Sequence, residues 1–233
     1  MAKKPWPAIL YEDGELLVVN KPAGQLSVAT DGPWQLTAYR QATDYLQIRN
    51  KRARLFIVHR LDRDTSGVLL FAKNESLKLA LQEKWNELVT CRGYHAVVAG
   101  TPPEQEGTLI SYLLENRAHV VYSAPKEKGG KTAVTQYRRV STRKGYSLLA
   151  LELRTGRKNQ IRVQLADLGC PVVGDKKYGG GVGGNPLGRL GLHAGRLVLT
   201  HPHTGEELAF TAHLPSEFER CFPGLGRKEE NDG

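Results

Sequence analysis

The chain has 233 residues, 40% of them hydrophobic and 24% charged, with a formal net charge of +9. That length can bury a sizeable core, and the composition excludes a disordered chain or one built around an apolar membrane span. The excess of positive charge points to a polyanionic partner.

In chain order, the N-terminal stretch MAKKPWPAILYED has no apolar leader segment. Ile9 to Tyr11 and Leu16 to Val19 flank Asp13-Gly14, which predicts a hairpin closed by a two-residue turn with positive φ. Lys21-Pro22-Ala23-Gly24 ends that strand. Leu36, Tyr39, Ala42 and Leu46 recur at helical spacing. Asn74 is placed to cap a second helix whose apolar stripe runs through Leu77, Ala80, Leu81, Trp85, Leu88 and Val89. Strands are expected over Leu55–Val58, Val68–Ala72, Tyr94–Ala99, Thr132–Val140, Tyr146–Arg154, Leu192–Thr200 and Leu208–His213. A third helix spans Asn159 to Leu168 and stops at Gly169. Strands in adjacent runs with few helices predict an α+β fold with a mixed, largely antiparallel sheet. One domain over residues 1–223 is expected, with a two-lobed form left open, followed by a tail over 224–233. With a hairpin beginning by residue 9, no accessory module is expected before it. The glycines from Gly179 to Gly184 read as a flexible loop, since no Lys-Ser/Thr follows them to make a nucleotide-binding loop.

The charge is concentrated. Between Lys126 and Arg162 lie eleven lysines and arginines, among them Arg138, Arg139, Arg157 and Lys158, opposed only by Glu127 and Glu152. Arg49, Lys51, Arg52 and Arg54 form a second group. Such clustering favours nucleic acid over a scattered solvated surface. Cys91, Cys170 and Cys221 are odd in number and widely spaced, which fits neither a disulfide framework nor a CxxC metal pair and suits a reducing, cytoplasmic setting. His193, His201 and His203 have no cysteine or carboxylate at ligand spacing beside them, so no metal is expected.

The most informative stretch is LFIVHRLDRDTSGVLLFAKN, residues 55–74: an apolar strand, a polar turn-rich loop, and a second apolar strand. Asp62, Asp64, Ser66 and Gly67 fit the first positions of a calcium loop, but Lys73 stands where a bidentate glutamate is required. His59-Arg60 suggests a kinase catalytic loop, yet Leu61 intervenes before the aspartate and no glycine-rich loop precedes it. As ordinary turn residues, Asp62 and Asp64 would cap backbone amides.

The whole pattern HRLDxxTSGxxxxAK resembles the signature of the RluA-type pseudouridine synthase family. The resemblance runs from about Leu17 to Pro215. VVNKPAG (residues 18–24), Tyr94 within CRGYHAVVAG, TGRKNQIRVQLADLG (155–169), Gly174-Asp175, Tyr178-Gly179, Leu192-His193-Ala194 and His201-Pro202 all fit family motifs. It implies that Asp62 is the catalytic aspartate, that Tyr94 acts at the target base or sugar, and that Arg162 pairs with the Asp62 carboxylate. Arg60 would brace the space left by a flipped nucleotide, and Ile161 or Val163 would touch the base. His59, Arg157, Lys158, Arg138 and Arg139 are expected on the RNA. Lys158-Asn159, Gln164, Asp167 and Arg92 depart from the usual pattern, and these departures are expected to affect the RNA-facing surface. The implied substrate is structured RNA, tRNA or rRNA, handled by a monomer without cofactor. A non-catalytic RNA-binding protein on the same scaffold is the alternative.

Overall fold

A computed structural model describes residues 6–29, 37–179 and 184–224. Strand β1 (Ala8–Glu12) pairs antiparallel with β2 (Leu16–Lys21), forming the expected hairpin. The turn between them differs from expectation. Gly14 does not adopt positive φ; instead the Asp13 carboxylate accepts the amides of Glu15 and Leu16 at 2.7 and 2.6 Å. A side-chain cap replaces the left-handed turn. Helix α1 (Ala38–Arg49) starts where the Thr37 hydroxyl accepts the Arg40 amide, and it buries Ala38, Ala42 and Leu46. Leu36 and most of the Gly179–Gly184 loop lie outside the described residues.

β3 (Phe56–Ile57) pairs with β4 (Ser66–Ala72), whose seven residues are all buried. A strand covered on both faces reads as a continuous apolar run rather than an alternation, which explains its sequence VLLFA. Helix α2 (Glu75–Glu83) is capped by Asn74, which accepts the Leu77 amide at 2.8 Å. The stripe expected to continue to Val89 is broken at Lys84. A one-turn helix α3 (Trp85–Leu88) follows, and Val89 opens strand β5 (Val89–Ala99).

Three elements lie outside the predicted set: β6 (Glu106–Glu115), β7 (Val121–Ala124) and the short C-terminal helix α5 (Ser216–Cys221). Strands β8 (Lys131–Arg143), β9 (Tyr146–Leu153), β10 (Leu192–Thr200) and β11 (Glu207–Thr211), with helix α4 (Gln160–Asp167), occupy their expected places. The whole is an α+β fold of mixed sheet with few helices.

Two compact units divide the chain. The first comprises Met1–Arg92 and Ala194–His213, the second Gly93–His193 and Leu214–Gly233. In the first, strand order is β1-β2-β4-β10-β11, with β3 also against β4. Its core joins Leu16, Val18, Val68, Leu70, Leu77, Leu81, Leu199 and Phe210. In the second, the order is the antiparallel run β5-β9-β8-β6-β7. Successive β5 residues feed opposite faces: Ala96 and Val98 pack with Ile161 and Leu165 of α4, while Val97 packs with Phe218 and Phe222.

Gly67, inside the most informative stretch, has φ of +116°, and a Cβ there would stand 2.0 Å from the Ala194 carbonyl oxygen. Neither the dihedral nor the approach of β10 accommodates a side chain. Gly67→Ala should therefore destabilise the protein by roughly 3 kcal/mol or more, read as a lower urea midpoint; an unchanged midpoint would show that β4 and β10 do not approach so closely.

Candidate active site

In the first unit, the loop carrying Asp62 runs from His59 to Thr65. Asp62 is partly exposed between buried Leu61 and exposed Arg63, and its carbonyl accepts the Thr65 amide at 3.2 Å, closing a turn. What fixes this turn is the segment that ends β2. Lys21 is 1% exposed. Its Nζ donates to three backbone carbonyls: Pro22 at 3.0 Å, Gln25 at 2.8 Å and Arg63 at 3.0 Å. Gly24, at φ +80°, lets the chain curl around the ammonium. Ser27 holds Leu61 at both its polar groups, donating to its carbonyl at 2.8 Å and accepting its amide at 3.1 Å. The Arg63 guanidinium donates in turn to Gly24 O at 3.2 Å. The residues on either side of Asp62 are thus each tied to residues 21–27, so the carboxylate springs from immobilised backbone.

His59 is committed to structure. β3 pairs with β4 only at Phe56 and Ile57, and the Leu70 amide is taken by His59 Nε2 at 3.0 Å. The ring lies 5.1 Å from that of Trp85. Burial, reinforced by the Arg92 cation, pushes the imidazole pKa down to about 4. A neutral ring accepting a backbone proton is suited to bracing the loop. Arg60, by contrast, is exposed.

In the second unit, Tyr94 lies on β5 opposite Leu151, partly buried against the cluster of Ala96, Leu149 and Ile161. Arg162, on α4, is held on two edges. Its Nε and Nη2 donate to the two oxygens of Asp175 at 2.7 and 2.8 Å, and its Nη1 donates to Asn159 Oδ1 at 2.9 Å. The Tyr178 ring lies beneath it, 5.1 Å from centroid to guanidinium carbon. The Asp175 side chain is fully enclosed. Burial works against its charge, but Arg162 and the amides of Lys177 and Tyr178 outweigh that and hold its pKa below the ordinary aspartate value.

Ile161 and Val163, read as base contacts, are instead core residues, 5% and 3% exposed, packed into two different clusters. They anchor the helix that presents Arg162. Gln164, expected to alter the RNA-facing surface, is likewise interior. Its amide donates to Leu109 O and Ala133 O and accepts from Thr135. Three further departures also have local structural partners: Lys158 pairs with Glu115, Asn159 with Arg162, and Asp167 with Ser123. Arg138, Arg157 and Lys158 are exposed, whereas Arg139 is partly buried and gives its guanidinium to Pro102 O and Gln105. Of these, Arg157 also donates from Nε to Thr132 O at 3.1 Å, so it, Lys158 and Arg139 each have a partner in their own chain.

Among the described residues no group of three His, Cys, Asp or Glu is arranged to hold a metal. His201 accepts the backbone amides of His203 and Thr204, and His203 bonds Glu15 at 3.0 Å. No helix among them is long and apolar enough to cross a membrane.

Comparison with known proteins identifies relatives of the chain. The profile described as RNA pseudouridylate synthase matches residues 15–167. An uncharacterized RNA pseudouridine synthase of Bacillus subtilis (strain 168), YhcT, is 35% identical over 213 residues, covering 91% of this chain and 70% of that one. Ribosomal large subunit pseudouridine synthase D of Nitrosomonas europaea is 34% identical over 225 residues, covering 93% of this chain and 64% of that one. Among solved structures, human RNA pseudouridylate synthase domain containing 4 superposes with a TM-score of 0.75 at 27% identity, over 91% of this chain and 90% of that one.

The low pKa of His59 has a measurable consequence. The unfolded chain binds a proton at His59 near the ordinary value of 6.5, whereas the native ring does so only near 4. Between those values the unfolded state holds more protons, so the contribution is present above pH 6.5 and is lost as pH falls toward 4. The loss amounts to about 3 kcal/mol. Unfolding free energies measured from pH 6.5 to 4.5 should fall less steeply in His59→Gln than in the wild type; equal slopes would contradict a ring held neutral in the native state.

Proposed function

The chain belongs to the RNA pseudouridylate synthase family and is an RNA-directed isomerase, and from that premise we propose that Asp62 is the side chain on which its reaction turns. Isomerising uridine breaks the N1–C1′ glycosidic bond, rotates the base and joins C5 to C1′; the C5 proton is released and N1 takes one up. Nothing is oxidised and no group leaves, so the protein must supply one ionised carboxylate, a binding surface and protection from water. The observation that carries this reading is the double tether around Asp62: Leu61 to Ser27 and Arg63 to Lys21. A carboxylate held this way meets a reacting sugar without an entropic search for its geometry.

The family likeness assigns Arg162 the task of keeping Asp62 ionised, and Tyr94 a position at the target nucleotide. A stacked uridine cannot reach a protein carboxylate, so the nucleotide is extruded, with Arg60 bracing the vacated space; unstacking costs a few kcal/mol and is cheapest in loops. The exposed Lys131, Arg138, Arg154 and Arg157 of the second unit supply phosphate contacts. The similarity to proteins named for the large ribosomal subunit supports ribosomal RNA as the substrate class ahead of tRNA. A cytoplasmic monomer working without a cofactor is the form in which we expect it to act.

Asp62→Asn should abolish pseudouridine formation in RNA from cells lacking the protein, while RNA affinity stays within about twofold of the wild type. Product made by that variant at a measurable rate would refute the role of Asp62.

A further inference from the structure

Arg162 is held more elaborately than a phosphate-binding arginine needs to be. A guanidinium offers five N–H groups in a rigid plane. Asp175 takes two of them bidentately along one edge, and Asn159 takes a third. The holders are themselves held. Asp175 Oδ1 also accepts the amides of Lys177 and Tyr178, at 2.9 and 3.0 Å. Asn159 donates from Nδ2 to the Tyr178 hydroxyl at 3.1 Å, and that hydroxyl accepts the Val121 amide at 3.2 Å.

The backbone around this cradle is tuned to it. Asn159 sits at φ +54°, a left-handed conformation that asparagine tolerates better than most residues. Gly174 and Gly179 flank the carboxylate where a Cβ would stand 2.3 Å from Arg189 O and from Asp175 O respectively. A freely hydrated phosphate clamp requires none of this. Fixing every rotatable bond of an arginine is useful where the direction of its charge matters.

We propose that Asp175 and Asn159 are positioning residues for catalysis: they set the orientation of Arg162, through which alone they influence the reaction. The proposal rests on the reading of Arg162 as the partner of Asp62. Because Asp175 already neutralises much of the guanidinium charge, its contribution is alignment of N–H groups and not added positive potential. Asp175 and Asn159 therefore affect the rate of the bond-breaking step and leave RNA affinity to the exposed cations.

The test uses the full-length protein and total RNA from a strain lacking it, labelled with tritium at uridine C5, whose release to water reports C5–C1′ bond formation under single-turnover conditions. Asp175→Asn should lower the rate constant by about 10- to 100-fold at full reaction amplitude, with RNA affinity within twofold. Asn159→Gly, which deletes the amide while suiting the positive φ, should lower it by about threefold to tenfold and covers the case in which Asp175→Asn fails to fold. In an Arg162→Met background neither change should slow the reaction further. A merely structural role would reduce amplitude and leave the rate constant alone, and that result would overturn the proposal, as would losses that multiply with Arg162→Met. The reading beneath it fails differently: if the wild type releases no tritium, or Asp62→Asn releases it, both fall together. If those controls behave and Asp175→Asn and Asn159→Gly react at the wild-type rate, only the positioning roles fall.

Discussion

A lysine ammonium removed from water must find its acceptors within the protein, and burying it without them would cost several kcal/mol. Lys21 meets that demand with three backbone carbonyls, two from the turn that follows it and one from Arg63, beside Asp62. The same bonds that make burial tolerable bind two segments about forty residues apart in the chain. With the Ser27–Leu61 pair, they convert a polar loop, the kind of segment that is ordinarily mobile, into a fixed platform. The close approach of Gly67 to Ala194 and the ring of His59 on the Leu70 amide secure the strand that follows.

The second unit solves a similar problem with opposite charges. There a buried carboxylate, Asp175, is stabilised by Arg162 and two backbone amides. In both units the buried charge is satisfied chiefly by neighbours fixed in backbone or core, so removing one partner leaves a costly orphan. Ile161, Val163 and Gln164 extend that rigidity by rooting α4 in the sheet on which it lies. The helix has little freedom to reorient its one partly exposed arginine.

The architecture was largely legible in the sequence because its elements carry unambiguous patterns: VLLFA as a strand buried on both faces, Asn74 as a cap, Gly169 as a stop. Strands β6 and β7 escaped because their period-two signal is weak; Glu106–Glu115 alternates exposed and half-buried residues, with Ile110 outward. Asp62 could be singled out because many motif positions coincide around it. The contacts that support it could not, since Lys21 and Ser27 are separated from it by a helix and a strand and their side chains bond backbone atoms, which carry no residue signature. A lysine ending an apolar run was the available signal. The reading of Ile161 and Val163 as base contacts failed for a related reason: adjacency to Arg162 in sequence puts them on other faces of the helix, and those faces point into the core.

Residues 21–27 immobilise the backbone on both sides of Asp62, and amide hydrogen exchange at Leu61 reads this directly. Its N–H is donated to the buried Ser27 hydroxyl, so it should exchange orders of magnitude more slowly than an exposed loop amide, and Ser27→Ala should accelerate it selectively. Exchange of Leu61 at the rate of an unprotected loop in the wild type would contradict the account.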